Sequence, residues 1–213
     1  MSYQQFGTFV PVLAARTLTP LPRPRGAARR EALLEAALKI AAEVGADAVT
    51  HRRVAEVAGL PLASTTYWFD SKEHLLTAAL ELAAERDIAR LQEFGADAAT
   101  ADADPITLAV AAILDPLDER LAGTRGSLIA AYALMLEAAR RPTLQSVTRR
   151  WTDAYLDVLS RLLKRAGSSE PRSDAELLIA SADGLLLEQL ASGTSGDVGP
   201  RLRRLAHVLV ASR

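Results

Sequence analysis

The chain has 213 residues, 49% of them hydrophobic, and is therefore long enough to bury a sizeable core. It contains no cysteine, which excludes disulfide bonds, thiolate metal sites and cysteine nucleophiles, and fits a reducing compartment. The net charge of −1 is divided unevenly: residues 1–72 carry nine basic and six acidic side chains, which leaves −4 on the remainder. A basic N-terminal part on an acidic body favours a partner that carries phosphate groups.

Residues 1–24 show no helical or strand period and contain Pro11, Pro20, Pro22 and Pro24, which predicts a disordered arm. Such an arm is either an inert tail or a segment that reaches along DNA. Its start lacks the positive charge of a signal peptide, and no apolar run in the chain approaches the length of a membrane span. We therefore expect a cytoplasmic protein.

Beyond the arm, apolar residues recur three and four positions apart, and strand-forming residues are few and scattered, which predicts an all-α protein. The first helix is predicted over Ala27–Val44, because the periodic stretch ends before Gly45. Its buried face is expected to consist of Leu33, Ala36, Ala37, Ile40 and Val44.

Two short helices joined by a glycine-containing turn are predicted between Thr50 and Phe69. Thr50 is placed to cap the first helix, and Gly59 can end it in the left-handed conformation. Pro61 suits the start of the second helix, whose inward positions would be Thr65 and Phe69. The inward side of the first helix is expected to consist of Val54, Ala55, Val57 and Ala58, and Leu60 in the turn is expected to pack into the same core. This is the outline of a DNA-reading helix-turn-helix.

The outward side of the second short helix is predicted to carry Ala63, Ser64, Tyr67 and Trp68. Two neighbouring exposed aromatic rings beside small residues suit thymine methyl groups, sugars and phosphate oxygens better than water. A plain packing hairpin is the alternative interpretation of the same pattern.

A long helix is predicted from the cap residue Asp70 to about Glu93, with Glu73 closing a capping box. Lys72 in its first turn opposes the helix dipole, which is reasonable if it faces an anion such as a phosphate. Because the apolar positions continue past the head, this helix is expected to belong to both halves of the protein and to act as a lever.

From Thr50 to Leu75 the sequence resembles the DNA-binding domain of the TetR family of bacterial transcriptional regulators. The threonine cap, the Ala-Gly turn, the Ser-Thr-Thr-Tyr-Trp-Phe helix and the following Ser-Lys-Glu-x-Leu carry the resemblance. Two departures are Pro61 in place of the usual capping serine and Thr66 in place of the usual aromatic residue. The resemblance implies a DNA surface formed by Thr50, His51, Arg52, Leu62, Ala63, Ser64, Tyr67, Trp68 and Lys72, with Lys72 binding phosphate.

The rest of the chain is predicted to be a helical body. Residues 95–104 are small and acidic and end at Pro105, which predicts a loop. Helices follow at about 105–121, from a Ser127 cap to Arg141, and at about 143–166. Ser173 and Glu176 are expected to form a capping box for a helix that runs to about Ser192, and the last helix is predicted at about 198–211. This gives about nine helices, arranged as a DNA-binding domain over residues 25–72 and an effector-binding and dimerisation domain over 73–213.

The resemblance further implies that the last two helices pair with their copies in a second subunit as a four-helix bundle. The apolar excess of these helices agrees with a homodimer. The interface is expected to include Leu178, Leu185, Leu186, Leu202, Leu205 and Leu209.

A ligand pocket is expected in the body, although most residues of this kind are simply core. Its candidate residues are Ile113, Tyr132, Met135, Glu137, Trp151, Tyr155 and Leu186, and Gln145 and Asp153 are further polar candidates.

The three histidines, His51, His74 and His207, lack the spacing of metal ligands, and no phosphate loop or nucleophile motif occurs in the sequence. We therefore expect no metal or cofactor and no enzymatic activity. The sequence favours a regulator, most simply a repressor that a small-molecule effector releases from a palindromic double-stranded operator. The alternatives are a regulator without an effector and an all-α enzyme with an unrecognised site.

Overall fold

The computed structural model describes residues 25–121, 125–194 and 196–211. These residues form an all-α protein and contain no strand, as the sequence predicts. The predicted arm, residues 1–24, lies outside them. The helices are α1 (Arg25–Val44), α2 (His51–Val57), α3 (Leu62–Trp68), α4 (Lys72–Thr100), α5 (Pro105–Leu121), α6 (Arg125–Arg140), α7 (Pro142–Arg165), α8 (Pro171–Ser192) and α9 (Gly199–Ala211), with a 3₁₀ turn at Ala46–Ala48.

The helices α1 to α3 and the first turns of α4 enclose one hydrophobic core, and together they are called the head. Phe69 and Leu75 are fully buried in it with most of the predicted α1 face. Val44 and Val57 were expected inside, but they are 54% and 46% exposed. Each is the last residue of its helix, where the chain turns away and the neighbouring helices no longer cover it.

The start of α4 differs from the prediction. Ser71, not Asp70, caps the helix, and its hydroxyl oxygen accepts a hydrogen bond from the backbone N–H of His74 at 3.1 Å. Burial of Phe69 leaves Asp70 pointing into solvent, with its side chain 95% exposed. Glu73 does not close a capping box, because its carboxylate accepts a hydrogen bond from the hydroxyl of Thr143 on α7 at 3.0 Å.

The helix α4 is longer than predicted, and residues 95–100 are helical rather than a loop. Packing explains the difference, because Ala98 is buried at 3% exposure and Gly95 lies against Val158 of α7. Arg165 of α7 donates hydrogen bonds to the carbonyl oxygens of Ala98 and Ala101 at the end of the helix. Tertiary contacts thus outweigh the low helix propensity of a single glycine.

Two further helix starts were predicted wrongly. The helix α6 begins at Arg125, so Ser127 lies inside it, and α8 begins at Pro171, so Ser173 lies in its first turn. Proline has the backbone angle of a helix and no N–H to satisfy, which places the start of α8 three residues earlier than a cap at Ser173 would.

The helices α5 to α9 and the second half of α4 enclose the larger core, and together they are called the body. A small cluster that includes Leu80, Leu144 and Val147 lies between head and body, and Leu38 of α1 packs against both this cluster and the core of the head. The helix α4 therefore contributes to every core, as the shared-helix prediction requires. Within the described residues no helix is long and apolar enough to cross a membrane.

Candidate DNA interface and ligand cavity

The helix α3 presents its predicted outer side to solvent. Tyr67 is 78% exposed and Ala63 is exposed, whereas Thr65 is fully buried and its hydroxyl donates a hydrogen bond to the carbonyl of Leu62 at 2.8 Å. The helix begins after Pro61, whose carbonyl accepts a hydrogen bond from the backbone N–H of Ser64 at 2.9 Å. The ring of Tyr67 is therefore accessible to a partner.

Trp68 was expected to face outward, and it does so only in part. Its ring is half-buried and packs beside the head core, and a side chain at Gly26 of α1 would lie 3.6 Å from it. Tyr67 meets the same ring edge-to-face, with centroids 5.0 Å apart. The small residue in α1 that makes room for the tryptophan is the signal that sequence analysis missed.

The start of α2 lies close in sequence to this surface. The hydroxyl oxygen of Thr50 accepts a hydrogen bond from the backbone N–H of Arg53 at 3.3 Å, as the predicted cap requires. Arg52 and Arg53 are exposed, and His51 is half-buried. Two basic side chains at a helix start form an electropositive edge beside α3.

Lys72 ties the start of α4 to the turn before α2. Its ammonium group donates a hydrogen bond to the carbonyl oxygen of Asp47 at 2.8 Å and lies 3.8 Å from the carboxylate of the same residue. The lysine side chain is 36% exposed. Because an ammonium group has three donors, it can keep the Asp47 contact and also bind an anion.

A cavity of about 370 Å³ lies inside the body, and it is called the central cavity. Six of the seven predicted pocket residues line it: Ile113, Tyr132, Met135, Trp151, Tyr155 and Leu186. They come from four helices, α5 to α8. The size and largely apolar lining are typical of a site for a small organic molecule.

Glu137 does not line the central cavity. Its carboxylate accepts a hydrogen bond from the guanidinium of Arg141 at 2.9 Å, one turn along the same helix. Gln145 and Asp153 line a separate, more open groove beside the central cavity. None of the three polar candidates lines the central cavity, because helical spacing cannot tell which polar side chains turn toward an interior space.

The central cavity instead contains a buried carboxylate that the sequence analysis missed. Asp87 of α4 is 2% exposed and accepts hydrogen bonds from the indole N–H of Trp151 at 2.7 Å and the hydroxyl of Tyr155 at 2.8 Å. The guanidinium of Arg90 donates a third at 3.1 Å. Asp87 occupies a helical stripe of otherwise apolar residues, between Ala84 and Leu91, and that break in the pattern is the signal that could have identified it.

A second carboxylate pairs with a tyrosine on the opposite wall. The hydroxyl of Tyr132 on α6 donates to the carboxylate of Asp183 on α8, with the oxygens 3.2 Å apart. Burial raises the pKa of Asp183, and the tyrosine bond only partly offsets this. Burial also raises the pKa of Tyr132, and the neighbouring carboxylate adds to the effect. Both groups therefore prefer their neutral forms more than they do in water.

The predicted dimer residues divide into two groups. Leu178, Leu186 and Leu202 are at most 6% exposed within the single chain, so they belong to the body core rather than to its exposed surface. Leu185, Leu205 and Leu209 are half-buried. The large apolar side chains that α8 and α9 expose are Leu177, Leu187 and Val208, at 50%, 52% and 56%.

The described part of the chain contains no group of three or more His, Cys, Asp or Glu side chains that could hold a metal ion. In the central cavity, the carboxylates of Asp87 and Asp183 accept hydrogen bonds from aromatic side chains, and Asp87 also accepts one from a guanidinium. The arrangement is suited to binding a small molecule.

Two family models match the chain. One, described as bacterial regulatory proteins of the tetR family, matches residues 33–79, and one, described as the tetracyclin repressor-like C-terminal domain, matches residues 104–212. No curated protein matches the sequence.

Solved structures resemble the chain over most of its length. A transcriptional regulator from Rhodococcus sp. Rha1 matches with a TM-score of 0.73 and 27% identity, over 85% of this chain and 95% of that one. A TetR family member from Streptomyces coelicolor A3 is 31% identical, with a TM-score of 0.66 and coverage of 85% and 97%. The multidrug binding protein EbrR in complex with imidazole is 30% identical, with a TM-score of 0.65 and coverage of 87% and 96%. EbrR has also been solved with ethidium, proflavin and malachite green.

Proposed function

Because the chain belongs to the TetR family of bacterial regulatory proteins, as its sequence predicted, we propose that it is a transcriptional repressor that a small-molecule effector releases from DNA. Proteins of this family are generally DNA-binding regulators rather than enzymes. The observation that carries the proposal is the position of the central cavity, which α4 borders through Asp87 while its first turns belong to the head. A ligand in the body and DNA at the head can therefore act on one helix.

The proposed DNA surface combines the exposed side of α3 with the start of α2 and with Lys72. Tyr67 supplies the most exposed ring, Arg52 a base or phosphate contact, and Lys72 a phosphate contact. The remaining members of the proposed surface are Thr50, His51, Leu62, Ala63, Ser64 and Trp68.

The helix α4 carries two adjacent residues that engage different parts of the protein. The guanidinium of Arg86 pairs with the carboxylates of Glu31 and Glu35 on α1 of the head, while Asp87 holds two aromatic residues of the central cavity. A ligand that moves those rings would change the position of α4 and hence the position of the head. A ligand acts in this way only if its affinity for the DNA-free arrangement is higher than for the DNA-bound one.

A homodimer is the second part of the proposal. Leu177, Ala180, Gly184, Leu187 and Ala191 are exposed and recur three and four positions apart along α8. An exposed stripe of small and apolar residues on one helix suits close packing against its own copy. A symmetric dimer would present two α3 helices to a near-palindromic site, with half-sites about 34–36 Å apart or a multiple of that.

A salt titration of operator binding tests the DNA surface. Lys72→Ala should weaken binding to operator and scrambled DNA alike, and it should lower the salt slope by about 2 for a dimer that loses two phosphate contacts. Tyr67→Ala should leave the slope nearly unchanged and reduce the preference for operator by about 1–3 kcal/mol per half-site. The matched control is Lys39→Ala, which removes an exposed lysine of α1 that lies 4.0 Å from the carboxylate of Glu43.

The operator itself is to be selected from random DNA with the wild-type protein. If the selected DNA is bound no better than scrambled DNA, the assignment of α3 as a recognition helix is wrong. Equal loss of operator and scrambled binding in Tyr67→Ala would lead to the same conclusion.

Sedimentation of two glutamate variants tests the dimer. Leu187→Glu should give monomers at micromolar concentration because it places a charge within the α8 stripe. Ile129→Glu is the control, because Ile129 on α6 is similarly exposed at 47% but lies outside the stripe. A wild-type protein that sediments as a monomer would rule out the proposed interface.

Reciprocity tests the effector mechanism. Malachite green serves as the probe, because EbrR has been solved with it. If the dye weakens operator binding by some factor, operator DNA must weaken dye binding by the same factor. Dye affinity that is equal with and without operator would contradict release through this cavity.

A further inference from the structure

We propose that the central cavity selects an amphipathic cation with an aromatic body, and that the carboxylate of Asp183 is the group that receives its positive charge. The inference rests on the proposed function, in which this cavity holds the effector, and names the chemical class of that effector.

The charged side chains that line the central cavity are all acidic. Three carboxylate side chains, Asp87, Glu176 and Asp183, line it, and among the described residues no lysine, arginine or histidine does. An anionic ligand would therefore approach carboxylates and no lining cation, which is unfavourable in a space of low dielectric. A cation would meet the opposite situation.

The three carboxylates differ in how well their charge is already balanced. Asp87 has the guanidinium of Arg90 at 3.1 Å in addition to its two aromatic donors. Glu176 has a side chain that is 60% exposed and lies 3.9 Å from Arg172, so water and an arginine both attenuate its charge.

Asp183 is the carboxylate that lacks a positive partner. In the described part of the structure the hydroxyl of Tyr132 is its side-chain hydrogen-bond donor, and no basic side chain lies within ion-pair distance. Burial raises the pKa of Asp183, which is the expected response of a desolvated carboxylate without a counter-charge. A ligand cation would supply that counter-charge.

The rest of the lining fits the body of such a molecule. Trp151, Tyr132 and Tyr155 offer aromatic rings, which attract cations through their negative faces. Ile113, Met135 and Leu186 supply apolar surface on the other sides. The cavity volume of about 370 Å³ suits a molecule of one to three rings rather than a simple metal ion or a large lipid.

The test compares two molecules of nearly the same shape, the permanent cation phenyltrimethylammonium and its neutral isostere tert-butylbenzene, with the anion benzenesulfonate as a third ligand. Affinities for the DNA-free, full-length protein are measured by ligand-detected NMR titration, with malachite green as a competitor to confirm occupancy of the cavity. The cation should bind about tenfold more tightly than the neutral isostere, because charge pairing and ring faces both favour it. The anion should bind more weakly than either.

Asp183→Asn should lower the affinity for the cation about tenfold and leave that for tert-butylbenzene unchanged. This variant keeps the shape of the side chain and an acceptor for the Tyr132 hydroxyl, and it removes an ionised group that burial disfavours. The protein should therefore still fold, and a thermal melt checks this. Asp157→Asn is the matched control, because Asp157 on α7 is 62% exposed, bonds Arg172 and does not line the cavity. Its affinities should equal those of the wild type.

Equal or tighter binding of the neutral isostere would overturn the assignment, as would an undiminished preference for the cation in Asp183→Asn or a failure of every probe to bind. A neutral ligand that still released operator DNA would leave the proposed regulatory function standing. Conversely, a cation that binds as described without weakening operator binding would support the cavity assignment and contradict the release mechanism. The two proposals can therefore fail separately.

Discussion

Replacing Asp87 by alanine should destabilise the protein strongly, because one buried carboxylate joins α4 to α7 through two aromatic side chains. The substitution leaves the indole N–H of Trp151 and the hydroxyl of Tyr155 without their acceptor, and it leaves the guanidinium of Arg90 without its counter-charge. Breaking a buried, hydrogen-bonded charge pair costs about 3–5 kcal/mol. That loss is a large part of the 5–15 kcal/mol that is typical of a folded domain.

The measurement is urea unfolding followed by tryptophan fluorescence at one fixed protein concentration, since dimerisation would otherwise shift the midpoint. Asp87→Asn keeps one acceptor oxygen and introduces a donor toward existing donors, so we expect a loss of about 1–3 kcal/mol. Glu85→Ala, on the exposed side of the same helix, is the control and should stay within about 0.5 kcal/mol of wild type.

A double-mutant cycle with Trp151→Phe isolates one of the bonds. Because that variant removes the indole donor, the pair Asp87→Ala and Trp151→Phe should show a coupling energy of about 1.5–3 kcal/mol. A loss below about 1 kcal/mol for Asp87→Ala, or additive effects of the two changes, would refute the idea that this contact holds the walls of the central cavity.

Two other substitutions test the ends of α4 and α5. Asp104→Ala should lower the free energy of unfolding in urea by about 0.5–2 kcal/mol, because the Asp104 carboxylate caps α5 by accepting a hydrogen bond from the backbone N–H of Thr107 at 2.9 Å. Asp102→Ala is the control and should be neutral, because Asp102 is exposed. Desolvation raises the pKa of Asp104, but the hydrogen bonds from the first turn of α5 lower it by more, so the pKa lies below its ordinary value. The stability that this cap contributes is therefore lost as the pH falls through that lowered pKa. Gly95→Ala should lower the melting temperature, because the new methyl group would lie 3.1 Å from buried Val158. Crowding of this kind costs about 1–3 kcal/mol, and we expect it to outweigh the gain of about 1 kcal/mol from the higher helix propensity of alanine. A rise in melting temperature for Gly95→Ala would contradict the close packing of α4 on α7.

The helix-turn-helix was predictable because its signals are local. Thr50 bonds an N–H three residues away, and Gly59 adopts a φ of 64° at the end of the same short helix. Neither interaction depends on a distant part of the chain. The inward positions Thr65 and Phe69 followed from the helical period alone, and both are fully buried.

The helix ends that were predicted wrongly depend on contacts across long stretches of sequence. Gly95 is typical of a loop in the sequence, but it is helical because α4 packs there against Val158, and the cap of α4 is Ser71 rather than Asp70 because Phe69 is buried in the head. A sequence pattern specifies which residues are able to cap, and packing determines which of them does so.

The large residues of the central cavity were predictable, and its carboxylates were not. Trp151 and Tyr155 stand out as bulky residues on one side of α7. Asp87 is a buried acceptor because Trp151 and Tyr155, more than 60 residues later in the chain, donate to it together with Arg90. Which side of α8 faces outward was likewise undetermined, because Leu178 and Leu187 look alike in a helix that is apolar on several sides.

The way Leu38 and Arg86 connect head and body has a practical consequence for domain exchange. Leu38 of α1 packs into the cluster that separates head from body, and Arg86 of α4 pairs with α1 well beyond the predicted boundary at residue 72. A chimaera joined at that boundary would combine an α1 from one protein with an α4 surface from another. Functional exchange of the DNA-reading part should therefore require a junction after Arg86, so that the transplanted segment carries both sides of the ion pair between Arg86 and α1.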